Sequence, residues 1–142
     1  MSELQNLYPR LVVEGADAAL AFYTAAFGGT VAERFTGPDG RVVHSLVTAG
    51  PIRFAVKDAG DGDPAPTDGG IPVIMTLEVS DADAVAARMR DGGATTVFDL
   101  ADHGYGEYGG RLRDPFGHQW MLSQKIEDLT ADETQARLNA MT

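Results

Sequence analysis

The chain has 142 residues, the size of one ordinary domain. Its 11 Lys and Arg against 21 Asp and Glu leave a net charge of −10, which argues against nucleic acid and anionic membranes as partners. The absence of Cys removes disulfides, Cys-ligated zinc and a thiol nucleophile, and with no basic-then-apolar leader and no apolar run near the ~20 residues that span a bilayer, a cytoplasmic protein is expected.

In chain order, "LVV" (11–13) reads as a short strand, and "EGAD" (14–17) supplies helix-start chemistry. Leu20, Tyr23 and Phe27 then recur at helical spacing until Gly28 and Gly29. Three β-type runs follow: "TVAERF" (30–35), "RVVHSLV" (41–47) and "IRFAV" (52–56). They close a first βαβββ copy, 4–57. "DAGDGDPAPTDGG" (58–70) has linker composition.

The second copy, 71–125, repeats the order. "VIMTLEV" (73–79) leads through "SDAD" into a helix carrying Val85, Ala86 and Met89, stopped by Gly92 and Gly93. "TTVFDL" (95–100), "GRLR" (110–113) and "HQWMLS" (118–123) are its remaining strands. An offset of 66 positions lays Leu11, Val13, Asp17 and Ala21 on Leu77, Val79, Asp83 and Ala87, so the chain reads as an internal duplication. A tail, 126–142, holds Thr130 and Glu133 at capping-box spacing before a short helix that is expected to dock on its own sheet or on a second subunit. The class is α+β: two βαβββ modules forming a curved, open-barrel mixed sheet with a ligand cleft, plus a short C-terminal helix.

"LAFYTAAFGG" (20–29), the repeat itself and "GRLRDPFGHQWML" (110–122) together resemble the vicinal oxygen chelate superfamily of glyoxalases, bleomycin-resistance proteins and extradiol dioxygenases. "YGEYGGRLRDPFGHQW" and the tail "KIEDLTADETQARL" look most like its PhnB-like branch. The resemblance implies metal ligands on the first and last strands of each copy. Counting along this chain, those places fall on Tyr8 and Ile74, and on Phe54 and Met121, each four residues after a turn glycine. The Phe54–Met121 offset is 67 and reads as a single insertion. None of the four is a usual ligand for a divalent metal, so no metal and no cofactor is expected.

Strand alternation adds Arg10 and Val12 to the face of Tyr8, Thr76 and Glu78 to that of Ile74, and Ile52 and Val56 to that of Phe54. Leu11, Val13, Leu77 and Val79 fall on the helix side. The expected ligand site is therefore Tyr8, Arg10, Phe54, Ile74, Thr76, Glu78 and Met121, with Tyr105 and Tyr108 contributed by a Gly-rich lid, "ADHGYGEYGGRL" (101–112). His44, Glu78 and Glu107 are the candidates for proton transfer. "DPFG" (114–117) reads as a turn, with Trp120 and Leu122 facing the core and Met121 facing the cleft.

The expected function is metal-independent binding of a small organic molecule, cationic or aromatic, by a homodimer like the bleomycin-resistance proteins. The alternatives are a glyoxalase-like lyase, isomerase or dioxygenase with an atypical metal site, and a dimeric interaction module.

Overall fold

The computed structural model describes residues 6–66 and 73–140. Residues 4–5 of the first expected copy, 67–70 of the linker, 71–72 of the second copy and 141–142 of the tail lie outside the described residues. The chain separates into two compact units, Met1–Gly70 and Ile71–Thr142.

Unit 1 runs β1 (Arg10–Val13), α1 (Ala16–Phe27), β2 (Thr30–Thr36), β3 (Val42–Ala49) and β4 (Ile52–Asp58). Unit 2 runs β5 (Met75–Glu78), α2 (Ala82–Asp91), β6 (Thr95–Asp102), β7 (Glu107–Arg113) and β8 (Gln119–Lys125), followed by α3 (Ala131–Ala140). Each unit has one four-stranded mixed sheet, ordered β1-β4-β3-β2 and β5-β8-β7-β6. The first strand of each unit runs parallel to the last, and the other pairings are antiparallel. The α+β class, the doubled βαβββ order and the C-terminal helix read from the sequence are all present.

One face of each sheet packs on its helix, because residues two apart along a strand share a face. Leu11, Val13, Val47, Phe54 and Val56 face α1 and are almost wholly buried. Phe54 meets Tyr23 edge-on at 5.2 Å between ring centres, and Phe27 at 6.3 Å. In unit 2, Trp120, Leu122 and Leu112 pack with Ala82, Ala86 and Met89 of α2 in the same way. Each large apolar side chain buried here contributes about 1.5–3 kcal/mol.

Both helix starts are held from the last strand of their own unit. The Asp58 carboxylate accepts from the Ala16 and Val42 amides, both at 2.8 Å, and the Gln124 side-chain oxygen accepts from Ala82 at 2.8 Å. Residues 58 and 124 are 66 apart, as are 16 and 82. Asp58, which the composition assigns to the linker, thus ends β4 and ties α1 to β3. Helix α1 ends at Gly28, whose φ of 71° needs a residue without a Cβ.

Thr130 and Glu133 form the expected capping box of α3, each accepting from the other's backbone amide at 3.1–3.3 Å. No residue of α3 is buried among the described residues; it is tied back by Arg137, which pairs with Glu127 and reaches the Gly104 carbonyl. The expected docking on the sheet is therefore replaced by polar tethering. No helix among the described residues is long and apolar enough to cross a membrane.

Candidate functional site

The sheet face away from the helix is the one that can meet a ligand. In unit 1 it carries Tyr8, Arg10, His44 and Leu46, as alternation requires, but not Phe54. The β1–β4 register sets Leu11 opposite Val56 and Arg10 opposite Ala55, so Phe54 lies on the helix side at 2 % exposure and Ala55 shares the face of Arg10. Ile52 and Val56, grouped with Phe54 by the same count, share its displacement from that face. The cause is turn length. Ala49 pairs with Ile52 across a two-residue turn, whereas Arg113 pairs with Gln119 across five, so four residues beyond Gly50 and four beyond Gly117 fall on opposite faces. The counterpart of Met121 is Ala55, at the offset of 66, and the counterpart of Phe54 is the buried Trp120.

The charged groups of this face satisfy one another. Arg10 donates to His44 Nδ1 at 3.2 Å and to the Val43 carbonyl at 2.9 Å, and His44 Nε2 donates to the Glu33 carboxylate at 3.2 Å. The Phe35 ring stacks on His44 at 6.0 Å. Arg53 lies over the Tyr8 ring, 4.8 Å from its centre. Lys57, 5 % exposed, pairs with Asp63 at 2.6 Å, and its ammonium holds the Asp63 carboxyl below the usual carboxylate range. Both His44 nitrogens are engaged, so this candidate base has no free lone pair in the arrangement seen.

The corresponding face of unit 2 holds Thr76 and Glu78 on β5 and Ile74 just before it, all exposed, and Met121 opposite Thr76 on β8. Beside Met121 is a pocket of about 170 Å³ lined by Phe98, His103, Tyr105, Glu107, Arg111, Met121 and Ser123, among others. Arg111 stands opposite Met121 and lies over the Phe98 ring at 5.2 Å. Its Nε is buried with no acceptor among the described residues, and the one hydrogen bond its side chain makes among them is long, 3.5 Å, to the Gln119 side chain. Ser123 shares the face of Met121, as strand alternation requires; Phe98 and Arg111 are not expected from the sequence, although extending the alternation from Met121 to the neighbouring strand reaches Arg111.

The Gly-rich stretch is a hairpin, not a lid. β6 runs to Asp102 and β7 begins at Glu107, leaving a four-residue turn. Its tyrosines part company. Tyr105 stacks on His103 at 5.8 Å and lines the pocket, and His103 Nε2 donates to the Gly109 carbonyl at 2.9 Å. Tyr108 is set one strand position out of phase and turns to the helix side, where its hydroxyl donates to Asp83 at 2.7 Å; that bond raises its pKa. It does not join the pocket. Gly109 and Gly110 serve close backbone approach, since a Cβ on Gly110 would stand 2.6 Å from the Phe98 carbonyl.

Asp114 builds the turn into β8, accepting from the Phe116 and His118 amides and from the Trp120 indole at 2.8 Å. Trp120 is thereby fixed in the core, and His118 meets the turn through its backbone amide. No group of three or more metal-ligating side chains converges among the described residues. The places where the resemblance implies metal ligands hold Tyr8, Ala55, Ile74 and Met121, and three of these carry no oxygen or nitrogen donor, so this donor set does not fit the superfamily's divalent metals.

An α+β chain of two βαβββ units with open sheet faces is the architecture of the glyoxalase-type proteins. Residues 7–122 match the model of the Glyoxalase/Bleomycin resistance protein/Dioxygenase superfamily, and the chain belongs to it. It is 36% identical over 140 residues to an uncharacterized protein of Mycobacterium bovis, covering 94% of this chain and 92% of that one. Among solved structures it is similar to a gene product of Arabidopsis thaliana, at TM-score 0.69 and 27% identity over 84% of this chain and 98% of the other. A PhnB protein of Bacillus cereus shares the fold at TM-score 0.64 and 21% identity, over 84% and 99% of the two chains.

Proposed function

We propose that this chain is a metal-independent, small-molecule-binding member of the superfamily, of its PhnB-like branch. The observation that carries the reading is the unit 2 pocket, which combines apolar walls, Phe98, Tyr105 and Met121, with an Arg111 side chain whose buried Nε has no acceptor among the described residues. Such a combination is the usual makeup of a small-molecule site. Of the two ligand characters expected from the sequence, the aromatic one has the direct support. The net charge of −10 attracts cations at long range, but the pocket's own charges are one cation and one anion, Arg111 and Glu107.

Tyr8, Arg10, Ile74, Thr76 and Glu78 are proposed as further ligand contacts on the open faces. Val31 and Phe35 on β2, and Val97 and Phe98 on β6, are large apolar side chains left exposed on edge strands, which supports a homodimer. Light scattering on the eluting protein checks that; a monomer at micromolar concentration removes it.

Two measurements test the main reading. Protein purified without a histidine tag is expected to contain substoichiometric metal, and one Ni, Zn, Fe or Mn per chain overturns metal independence. Small aromatic compounds are expected to raise the melting temperature in a dose-dependent way, because a ligand of the native state alone stabilises it. A flat response across such a set overturns the binding role.

A further inference from the structure

The two sheets can be compared strand by strand through their registers. In unit 2 the row Ala101–Gly109–Ser123 crosses β6, β7 and β8. In unit 1 the matching row begins Phe35–His44, and continuing the β3–β4 register by two residues brings Lys57 opposite His44. Lys57 is 66 residues before Ser123. Large side chains therefore fill in unit 1 the space that small ones leave open in unit 2, and the opening lies beside Arg111, whose own counterpart is the apolar Leu46.

We propose that Arg111 is the anchor for the carboxylate of a small apolar or aromatic acid bound in this pocket, which names a ligand class for the small-molecule reading and rests on it. A planar guanidinium offers five donors in a fork that fits a carboxylate with two parallel hydrogen bonds. Here the guanidinium lies over the Phe98 ring, 5.2 Å from its centre, and its only acceptor among the described residues is Gln119 at 3.5 Å. The Ser123 hydroxyl, in the same pocket, has no hydrogen-bond partner among the described residues and supplies a further donor. Phe98, Tyr105 and Met121 would cover the apolar body. A dianionic phosphoryl group is disfavoured, since Arg111 is the pocket's single cationic side chain and Glu107 lines it too.

A buried donor without an acceptor costs stability. Keeping Arg111 there suits a group whose partner arrives from outside.

The test is calorimetric titration with 3-phenylpropionate and with its uncharged amide, 3-phenylpropanamide, on wild type, Arg111→Met and Arg111→Lys. Wild type is expected to bind the acid about tenfold or more tighter than the amide, the range of a charge-assisted pair. Arg111→Met should lose that preference with its melting temperature equal to or above wild type, and Arg111→Lys should regain part of it. Equal binding of acid and amide by wild type, or a preference that survives in Arg111→Met, overturns the anchor while the small-molecule reading stands. Binding of neither compound at millimolar concentration sinks the anchor, and sinks the small-molecule reading too if aromatic compounds leave the melting temperature flat.

Discussion

The two halves of the molecule share one backbone plan and differ in what their open sheet faces do with polar groups. In unit 1, Arg10, His44 and Glu33 form a chain of hydrogen bonds, Arg53 covers Tyr8 and Lys57 holds Asp63, so charge is matched internally. In unit 2, Arg111 and Ser123 stand beside a pocket with their donors largely unmatched. A duplicated fold allows this division. One copy can be self-sufficient while the other keeps a binding site, because each helix and sheet is completed within its own unit.

The comparison can be broken at several points. The largest expected effect is in the cores: Phe54→Ala and Trp120→Ala should each destabilise by about 3–5 kcal/mol in chemical denaturation. Phe54→Ala should leave the affinity of the remaining folded protein for aromatic acids unchanged, and a selective loss of binding would return Phe54 to the ligand face.

The helix starts come next. Asp58→Ala removes a charged acceptor of two backbone amides and should cost about 2–3 kcal/mol, whereas Gln124→Ala removes a neutral acceptor of one and should cost about 1 kcal/mol. Equal losses would show that the two caps are interchangeable.

Filling the pocket is a sharper test of function. Ser123→Lys copies the unit 1 residue at this place and should weaken 3-phenylpropionate binding about tenfold while the protein stays folded. Unchanged affinity would place the ligand elsewhere.

The smallest effect is in acid. The carboxyls of Asp63, Asp17 and Glu127 are depressed by hydrogen bonds from Lys57, Arg34 and Arg137. Their folded values lie below the unfolded ones, so the stabilisation is full above the ordinary carboxylate pKa of about 4 and is lost as pH falls through the depressed values. Lys57→Met should flatten the acid limb of a melting-temperature profile slightly, and an unaltered limb would show that solvent screens the pair completely.

Periodicity carried most of the fold. Leu11, Val13, Trp120 and Leu122 could be assigned to the core because alternation in a strand is rigid once its register is known. The register is where reading failed. Gly50 and Gly117 are both turn glycines with positive φ, yet they sit at different places in turns of different length, and that difference moved Phe54 onto the wrong face. Tyr108 failed for a related reason, since a glycine-rich run was taken for a loop when its glycines permit close strand contact. Arg111 lay within reach of the same alternation but also fell inside the Gly-rich stretch, 101–112, taken for a lid.

Among the described residues, no strand ladder joins residues on opposite sides of the segment between β4 and β5. A chain opened there, with its old termini joined, would keep every sheet hydrogen bond it has, and two separately made halves would each carry a full set. That independence makes the molecule suited to exchange of one half between relatives or to recombination of its gene at this point.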